Sequence, residues 1–233
     1  MLAVLTVTAG RFVVAWKLMP HSAAITAIQQ DSVQGFLHQP ETTAHAGIVL
    51  THGAGANSQS ALLVAAAQAF CVAGFTVLRI DLPFRQRRPS GPPFPATAAQ
   101  DRAGLQAALE FLKPKVSGPL YLGGHSYGGR QATMLAAEVP GVAAGLLALS
   151  YPLHPPTKPD QLRTAHLPAL RTPTLFVQGT KDGFGSIEEM RSALALIPAR
   201  TELLAITGAG HDLARGRLDW SEVVQRFEGL VGQ

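Results

Sequence analysis

The feature that most constrains this chain is an alternation. Short continuous apolar runs are separated by longer stretches with helical spacing. "AGIVLTHG" (46–53) and "FTVLRIDLP" (75–83) are short, mostly apolar runs that read as buried strands. Between them, "SQSALLVAAAQAFCVAG" (58–74) is an alanine-rich helix stopped by Gly74, with Cys71 as a packing residue. Strand, helix, strand repeated in this way reads as a mostly parallel central sheet with helices on both faces, an α/β architecture.

The pattern continues to the C-terminus. "TAAQDRAGLQAALEFL" (97–112) has Ala103, Leu105, Ala108, Leu109 and Leu112 at helical spacing. "PLYLGG", "AGLLALSYP", "TPTLFVQGT" and "TELLAIT" read as strands. "YGGRQATMLAAEV", "SIEEMRSALALI" and "DWSEVVQRFEGLV" read as helices, the last capped by Asp219. Upstream, "AAITAIQQ" and "VQGFLHQ" read as one or two antiparallel strands. Pro83, Pro89, Pro92, Pro93 and Pro95 predict a rigid irregular loop, and "YPLHPPTKPDQLRTAHLPALR" has the length of a lid or binding segment. With no internal repeat or linker, residues 21–233 read as a single domain.

Composition narrows the class. A chain of 233 residues can bury roughly 70–75% of its unfolded surface. At 47% hydrophobic and 15% charged, it is expected to be globular and not disordered. Arg11 interrupts the greasy N-terminus, and no basic residue precedes that run as a secretory signal requires. Residues 1–20 read as an extension or as a mis-assigned start, with Met19 the alternative. No apolar run is long enough to span a membrane. One cysteine excludes an internal disulfide framework and suits a cytoplasmic setting. The net charge of +4 includes the cluster "FRQRRP" (84–89), but no nucleic-acid module accompanies it, and nucleic acid is not an expected partner. Oligomeric state is not readable from this sequence.

The chemistry concentrates in "GGHSYGGRQA" (123–132). Gly124-His125-Ser126-Tyr127-Gly128 matches G-x-S-x-G between a strand and a helix, the context of a strained turn that presents a serine nucleophile. A serine needs a base, and the base needs an orienting acid. Asp182 follows "TLFVQG", and His211 lies in "GAGHDL" after the last strand, in the chain order Ser, Asp, His. Read singly, these are a glycine-rich turn, an Asp-Gly turn and a loop histidine; their order after successive strands favours a triad. His154 and His166 are rival bases but precede the acid. His125 is too near Ser126 in the chain to act as its base. Backbone N–H groups of Tyr127 and Ala54, the latter in "THGAGANSQ", are the expected oxyanion donors, with Gly55 beside them. That loop lacks the lysine of a phosphate-binding loop. Gly55, Arg85, His125 and His154 are candidate substrate contacts, Arg85 as a carboxylate or phosphate partner.

These motifs resemble the α/β-hydrolase superfamily from about Val33 onward, and within it the dienelactone hydrolase-like proteins. "LTHGAGAN", "RIDLPFRQRRPSGPP", "GGHSYGGR", "YPLHPPTKPDQLR", "LFVQGTKDGFG" and "GAGHDL" carry a narrower likeness to small predicted hydrolases related to KANSL-like and testis-expressed hydrolase domains. The resemblance implies an α/β-hydrolase fold without a large cap domain. It implies Ser126 as nucleophile, Asp182 as acid, His211 as base, and Ala54 and Tyr127 as oxyanion donors. It calls for no metal and no organic cofactor, and for a small acyl compound as substrate. Many dienelactone hydrolases carry cysteine where this chain has Ser126, so dienelactone is a doubtful substrate. An esterase is the leading expectation. A thioesterase or amidase using the same residues, or a non-catalytic scaffold on this fold, is the alternative.

Overall fold

The structure is a computed structural model and describes residues 24–232. The expectations for residues 1–20, including the alternative start at Met19, lie outside the described residues. A two-residue turn at Asp31 and Ser32 joins the antiparallel strands β1 (Ala24–Gln30) and β2 (Val33–Gln39), with Asp31 at φ 50°. After them come β3 (Ala46–Thr51), helix α1 (Ala61–Val72), β4 (Phe75–Ile80) and a short helix α2 (Pro83–Arg87). The chain continues through α3 (Ala98–Leu112), β5 (Leu120–His125), α4 (Tyr127–Glu138) and β6 (Leu146–Leu149). It ends with β7 (Thr174–Gly179), α5 (Ile187–Leu194), β8 (Thr201–Ile206) and α6 (Trp220–Val231).

One eight-stranded sheet contains all of these strands, in the order β1-β2-β4-β3-β5-β6-β7-β8. From β4 across to β8 every pairing is parallel. Alternation along each strand divides the core in two. Val49, Leu122, Ala148 and Phe176 face one side with Leu105 and Leu109 of α3, Ala132 and Leu135 of α4, and Met190 of α5. Ile48, Leu50, Tyr121, Leu147, Leu175 and Val177 face the other, against Leu63 and Phe70 of α1 and Phe227 of α6. Covered on both faces, these strands had to be largely apolar, which is the pattern the sequence shows.

The proline-rich stretch holds a helical turn that its composition conceals. Pro83 occupies the first turn of α2, where a missing N–H costs nothing, and the Phe84 N–H donates to the buried Asp101 carboxylate at 3.0 Å. The long segment after β6 is not a separate cap. Leu153, Leu167 and Leu170 bury into the core, and the Tyr151 hydroxyl donates to Arg163 O at 2.6 Å.

Register sets the stage for the site. Thr51 lies opposite Gly124, His125 opposite Leu149, and Gly179 opposite Ile206. The C-terminal ends of β3, β5, β6, β7 and β8 therefore share one rim, where loops from separate parts of the chain meet. No helix among the described residues is long and apolar enough to cross a membrane.

Candidate active site

Ser126 sits between β5 and α4 with φ 50° and ψ −116°, a conformation that side-chain-bearing residues rarely adopt. Packing enforces it. A Cβ on Gly124 would stand 2.8 Å from Thr51 O, one on Gly128 2.5 Å from His52 O, and one on Gly129 2.5 Å from Gly124 O. Strand β3, the turn and the first turn of α4 touch through backbone, and only glycine permits that approach. The Ser126 N–H donates to Leu149 O at 2.8 Å, tying the turn to β6.

Ser126 Oγ lies 2.8 Å from His211 Nε2. On the far side of that ring, His211 Nδ1 lies 2.8 Å from Asp182 Oδ2 and 3.0 Å from Oδ1. A carboxylate only accepts, so Nδ1–H donates to Asp182 and Nε2 keeps a lone pair for the serine O–H. The Asp182 side chain has no solvent exposure. It is stabilised there by the Phe184 N–H at 2.8 Å and by the Gln178 side-chain amide at 2.9 Å. The Phe184 ring stacks on His211 with centroids 4.1 Å apart and planes 29° apart, limiting the imidazole's rotation.

His125 is near the site but does not act on the serine. Its Nε2–H donates to the carbonyl of His211 at 2.8 Å, and burial holds its pKa below the usual histidine value. It therefore supports the backbone that carries the imidazole.

The loop after β3 runs beside the serine, since a Cβ on Gly53 would lie 3.3 Å from Ser126 Cβ. The buried His52 ring donates from Nδ1 to Gly53 O at 2.8 Å and accepts the Leu82 N–H on Nε2 at 3.1 Å. Burial lowers the His52 pKa and keeps the ring neutral, as that pair of bonds requires. The Ala56 N–H also donates to Gly53 O, at 3.1 Å. The peptide is trans, so drawing the Gly53 carbonyl toward His52 and Ala56 turns the Ala54 N–H the opposite way. Gly55 is exposed, with nothing within 4 Å of where its Cβ would be. Tyr127 opens α4, so its N–H belongs to the first turn, which has no intrahelical acceptor. Its hydroxyl donates to Asp101 Oδ2 at 2.7 Å; burial and that bond push its pKa well above the usual tyrosine value.

Two expected substrate contacts are corrected. Arg85 is buried, and its guanidinium is occupied by four carbonyls. Nε donates to Ala56 O at 2.8 Å, Nη2 to Ala54 O at 2.7 Å and Gly91 O at 3.0 Å, and Nη1 to Arg88 O at 3.1 Å. Four of its five donors are thus taken by backbone, which leaves no fork for a carboxylate. Arg85 instead clamps the loop that carries Ala54. His154 is likewise buried, its ring held by Pro155 O at 2.9 Å and by Glu189 of α5 at 3.5 Å. The rival base His166 lies 2.9 Å from Thr133 Oγ1, and burial and the nearby Arg130 and Arg102 lower its pKa to about 4.

Four contributors escaped the sequence reading: His52, Asp101, Gln178 and Phe184. Gln178 and Asp101 each had a signal, a polar residue in the middle of an otherwise apolar buried surface. For His52 and Phe184 the role depends on loop packing that no local pattern encodes.

Comparison with known proteins bears on the family and the fold. The family model described as an alpha/beta hydrolase domain matches residues 44–226. A dienelactone hydrolase from Anabaena variabilis superposes with a TM-score of 0.68 at 22% identity, covering 90% of this chain and 97% of that one. XC6422 from Xanthomonas campestris, described as an α/β serine hydrolase without lid, gives 0.65 at 18% identity over 91% and 96%. Over 48 residues the chain is 50% identical to polyketide synthase ThaQ of Burkholderia thailandensis, a match covering 21% of this chain and 2% of that protein. With its matched family model, its sheet order and its serine turn, the chain belongs to the alpha/beta hydrolase domain family and resembles the dienelactone hydrolase-like members.

Proposed function

We propose that this hydrolase cleaves carboxylic esters of small acyl compounds through a covalent acyl-enzyme, with Ser126 as nucleophile, His211 as base and Asp182 as orienting acid. The observation that carries the reading is the continuous hydrogen-bonded path from Ser126 Oγ through the His211 ring to the Asp182 carboxylate. Ser126 Oγ attacks the ester carbonyl while its proton passes to His211 Nε2. Asp182 holds the tautomer and stabilises the imidazolium. The N–H groups of Tyr127 and Ala54 receive the charge that develops on the carbonyl oxygen, aided by the positive end of α4. As the tetrahedral intermediate collapses, His211 returns the proton to the leaving alcohol. Water then attacks the acyl-serine, giving a proton to His211, and as this second intermediate collapses His211 passes that proton to Ser126 Oγ and the acid departs.

The reading extends to a single hydrolase domain from residue 21 onward, supported by the one sheet that contains every described strand. A cytoplasmic setting is supported by the lone buried Cys71. The test is labelling by a fluorophosphonate together with turnover of p-nitrophenyl acetate. Both are expected in the unaltered protein and absent in Ser126→Ala, with a loss of about 10⁶ in rate. Retained turnover in that variant would remove the assignment.

A further inference from the structure

Gln178 is the next-to-last residue of β7, four residues before Asp182, with no solvent exposure. Its Nε2 is 2.9 Å from Asp182 Oδ2, the same oxygen that accepts the His211 Nδ1–H at 2.8 Å. Two more acceptors surround that end of the amide, Gly185 O at 3.3 Å and Tyr151 O at 3.5 Å. Three acceptors around one atom fix the orientation of the amide: the NH₂ group must face them. The other end is then stranded. Gln178 Oε1 is buried and has no hydrogen-bond partner. Unpaired buried acceptors are rare, and one kept at the end of a buried strand calls for a compensating role.

We infer that Gln178 is a positioning residue that sets how strongly Asp182 attracts the proton of His211. This rests on the triad reading proposed above. An amide N–H on Oδ2 disperses part of the carboxylate's charge and stops the group from rotating out of the imidazole plane. With the donor removed, the charge concentrates on the remaining partner, and His211 holds its proton more tightly. The titratable groups that face His211 are Asp182, His125 and the adjacent Asp212. Of these, Asp182 alone bonds the ring, because His125 donates to the His211 carbonyl.

The experiment compares Gln178→Leu, which has no donor, with Gln178→Glu, which matches the amide in shape but donates only when protonated. Two readouts are taken: the pH profile of kcat/KM on p-nitrophenyl acetate, and titration of the His211 ring by NMR on ¹⁵N-histidine-labelled protein. The leucine variant is expected to lose about 10- to 100-fold in kcat with KM within about two-fold. The acid limb of its profile and the NMR titration of His211 are expected to move up together by roughly half a unit or more. The glutamate variant, buried beside Asp182, keeps its proton and donates it to Oδ2, and is expected to leave the His211 titration close to that of the unaltered protein. An unmoved His211 titration in folded Gln178→Leu would overturn the inference; should the leucine variant fail to fold, Gln178→Met, which keeps the length of the side chain without a donor, decides by the same readout. The NMR readout does not depend on turnover, so failure here is distinct from failure of the hydrolase reading, which Ser126→Ala tests.

Discussion

The Nη2 of Arg85 lies 2.7 Å from the carbonyl oxygen of Ala54 while its Nε lies 2.8 Å from that of Ala56. A single guanidinium thus grips both ends of the short stretch whose N–H is proposed to meet the oxyanion. Arg79 holds the same loop further on: its Nη1 donates to Ser58 O and its Nε donates to His38 Nε2 at 2.8 Å. The Ser58 N–H in turn donates to Asp81 at 2.7 Å. Arg79 and Arg85 are thus internal scaffolding for a loop, while Arg87 and Arg88 are exposed.

Arg85→Lys is therefore expected to lower kcat about ten-fold or more with little change in KM, because an ammonium cannot reach four carbonyls in a fork. The loss should be the same for esters of neutral and of acidic acyl groups. Thermal or urea unfolding should show about 2–3 kcal/mol of lost stability from the carbonyls left unpaired. A loss confined to acidic esters would return Arg85 to a substrate contact.

Replacing Ser126 separates activity from strain. Glycine accepts φ 50° with ψ −116° far more easily than alanine does. Ser126→Gly is expected to be about 1 kcal/mol more stable than Ser126→Ala by urea unfolding, while both lose fluorophosphonate labelling.

Gly128→Ala tests the close approach of α4 to the loop after β3. The new methyl would meet His52 O at 2.5 Å, a backbone atom with no room to retreat. A cost of about 3 kcal/mol or more is expected by urea unfolding, with loss of turnover in whatever fraction folds. Gly141→Ala serves as the contrast, since nothing lies within 4 Å of its Cβ position. Its cost should come only from its φ of 82°.

Acid should unfold the protein through its buried histidines. Burial and Arg79 pull His38 down to about 4, and His166 falls to about 4 through burial, Arg130 and Arg102. The unfolded chain binds protons at these positions from about pH 6.5 downward, whereas the folded protein resists until about pH 4. Stability is thus fully present above about pH 6.5 and falls across that window. The two groups together contribute a slope of up to about 3 kcal/mol per pH unit. His52 and His125, also held neutral, act in the same direction. Urea midpoints measured from pH 7 to 4.5 check this, and His166→Gln should flatten the slope.

Much of the fold is legible before any coordinates are known. Strands covered on both faces had to be largely apolar, and β3, β5 and β6 are, while β4 and β7 each admit a polar residue that finds partners inside. Gly74, at φ 93°, ends α1 where the sequence placed its stop, and the Asp219 carboxylate accepts the Ser221 N–H at the start of α6. The glycines around Ser126 are equally plain, since a Cβ at Gly124, Gly128 or Gly129 would stand within 3 Å of a backbone oxygen. Arg85 shows where local pattern misleads. On a string of letters a buried clamp and an exposed anion contact are the same basic residue. Which one it becomes depends on whether carbonyls from residues 54, 56, 88 and 91 converge on it, a matter of how distant loops fold.

Spacing and periodicity alone thus determined the layered architecture, the turn at Ser126 and the chain order of serine, aspartate and histidine, because those depend on neighbours within a few residues. Only the tertiary structure decided the neutral state of His52, the orientation of the Gln178 amide on Asp182 and the inward turn of Arg85. Hydrogen bonding and burial act through space, and the partners stand 30 or more positions apart in the chain for His52 and Leu82. For His211 and Ser126 the separation is 85.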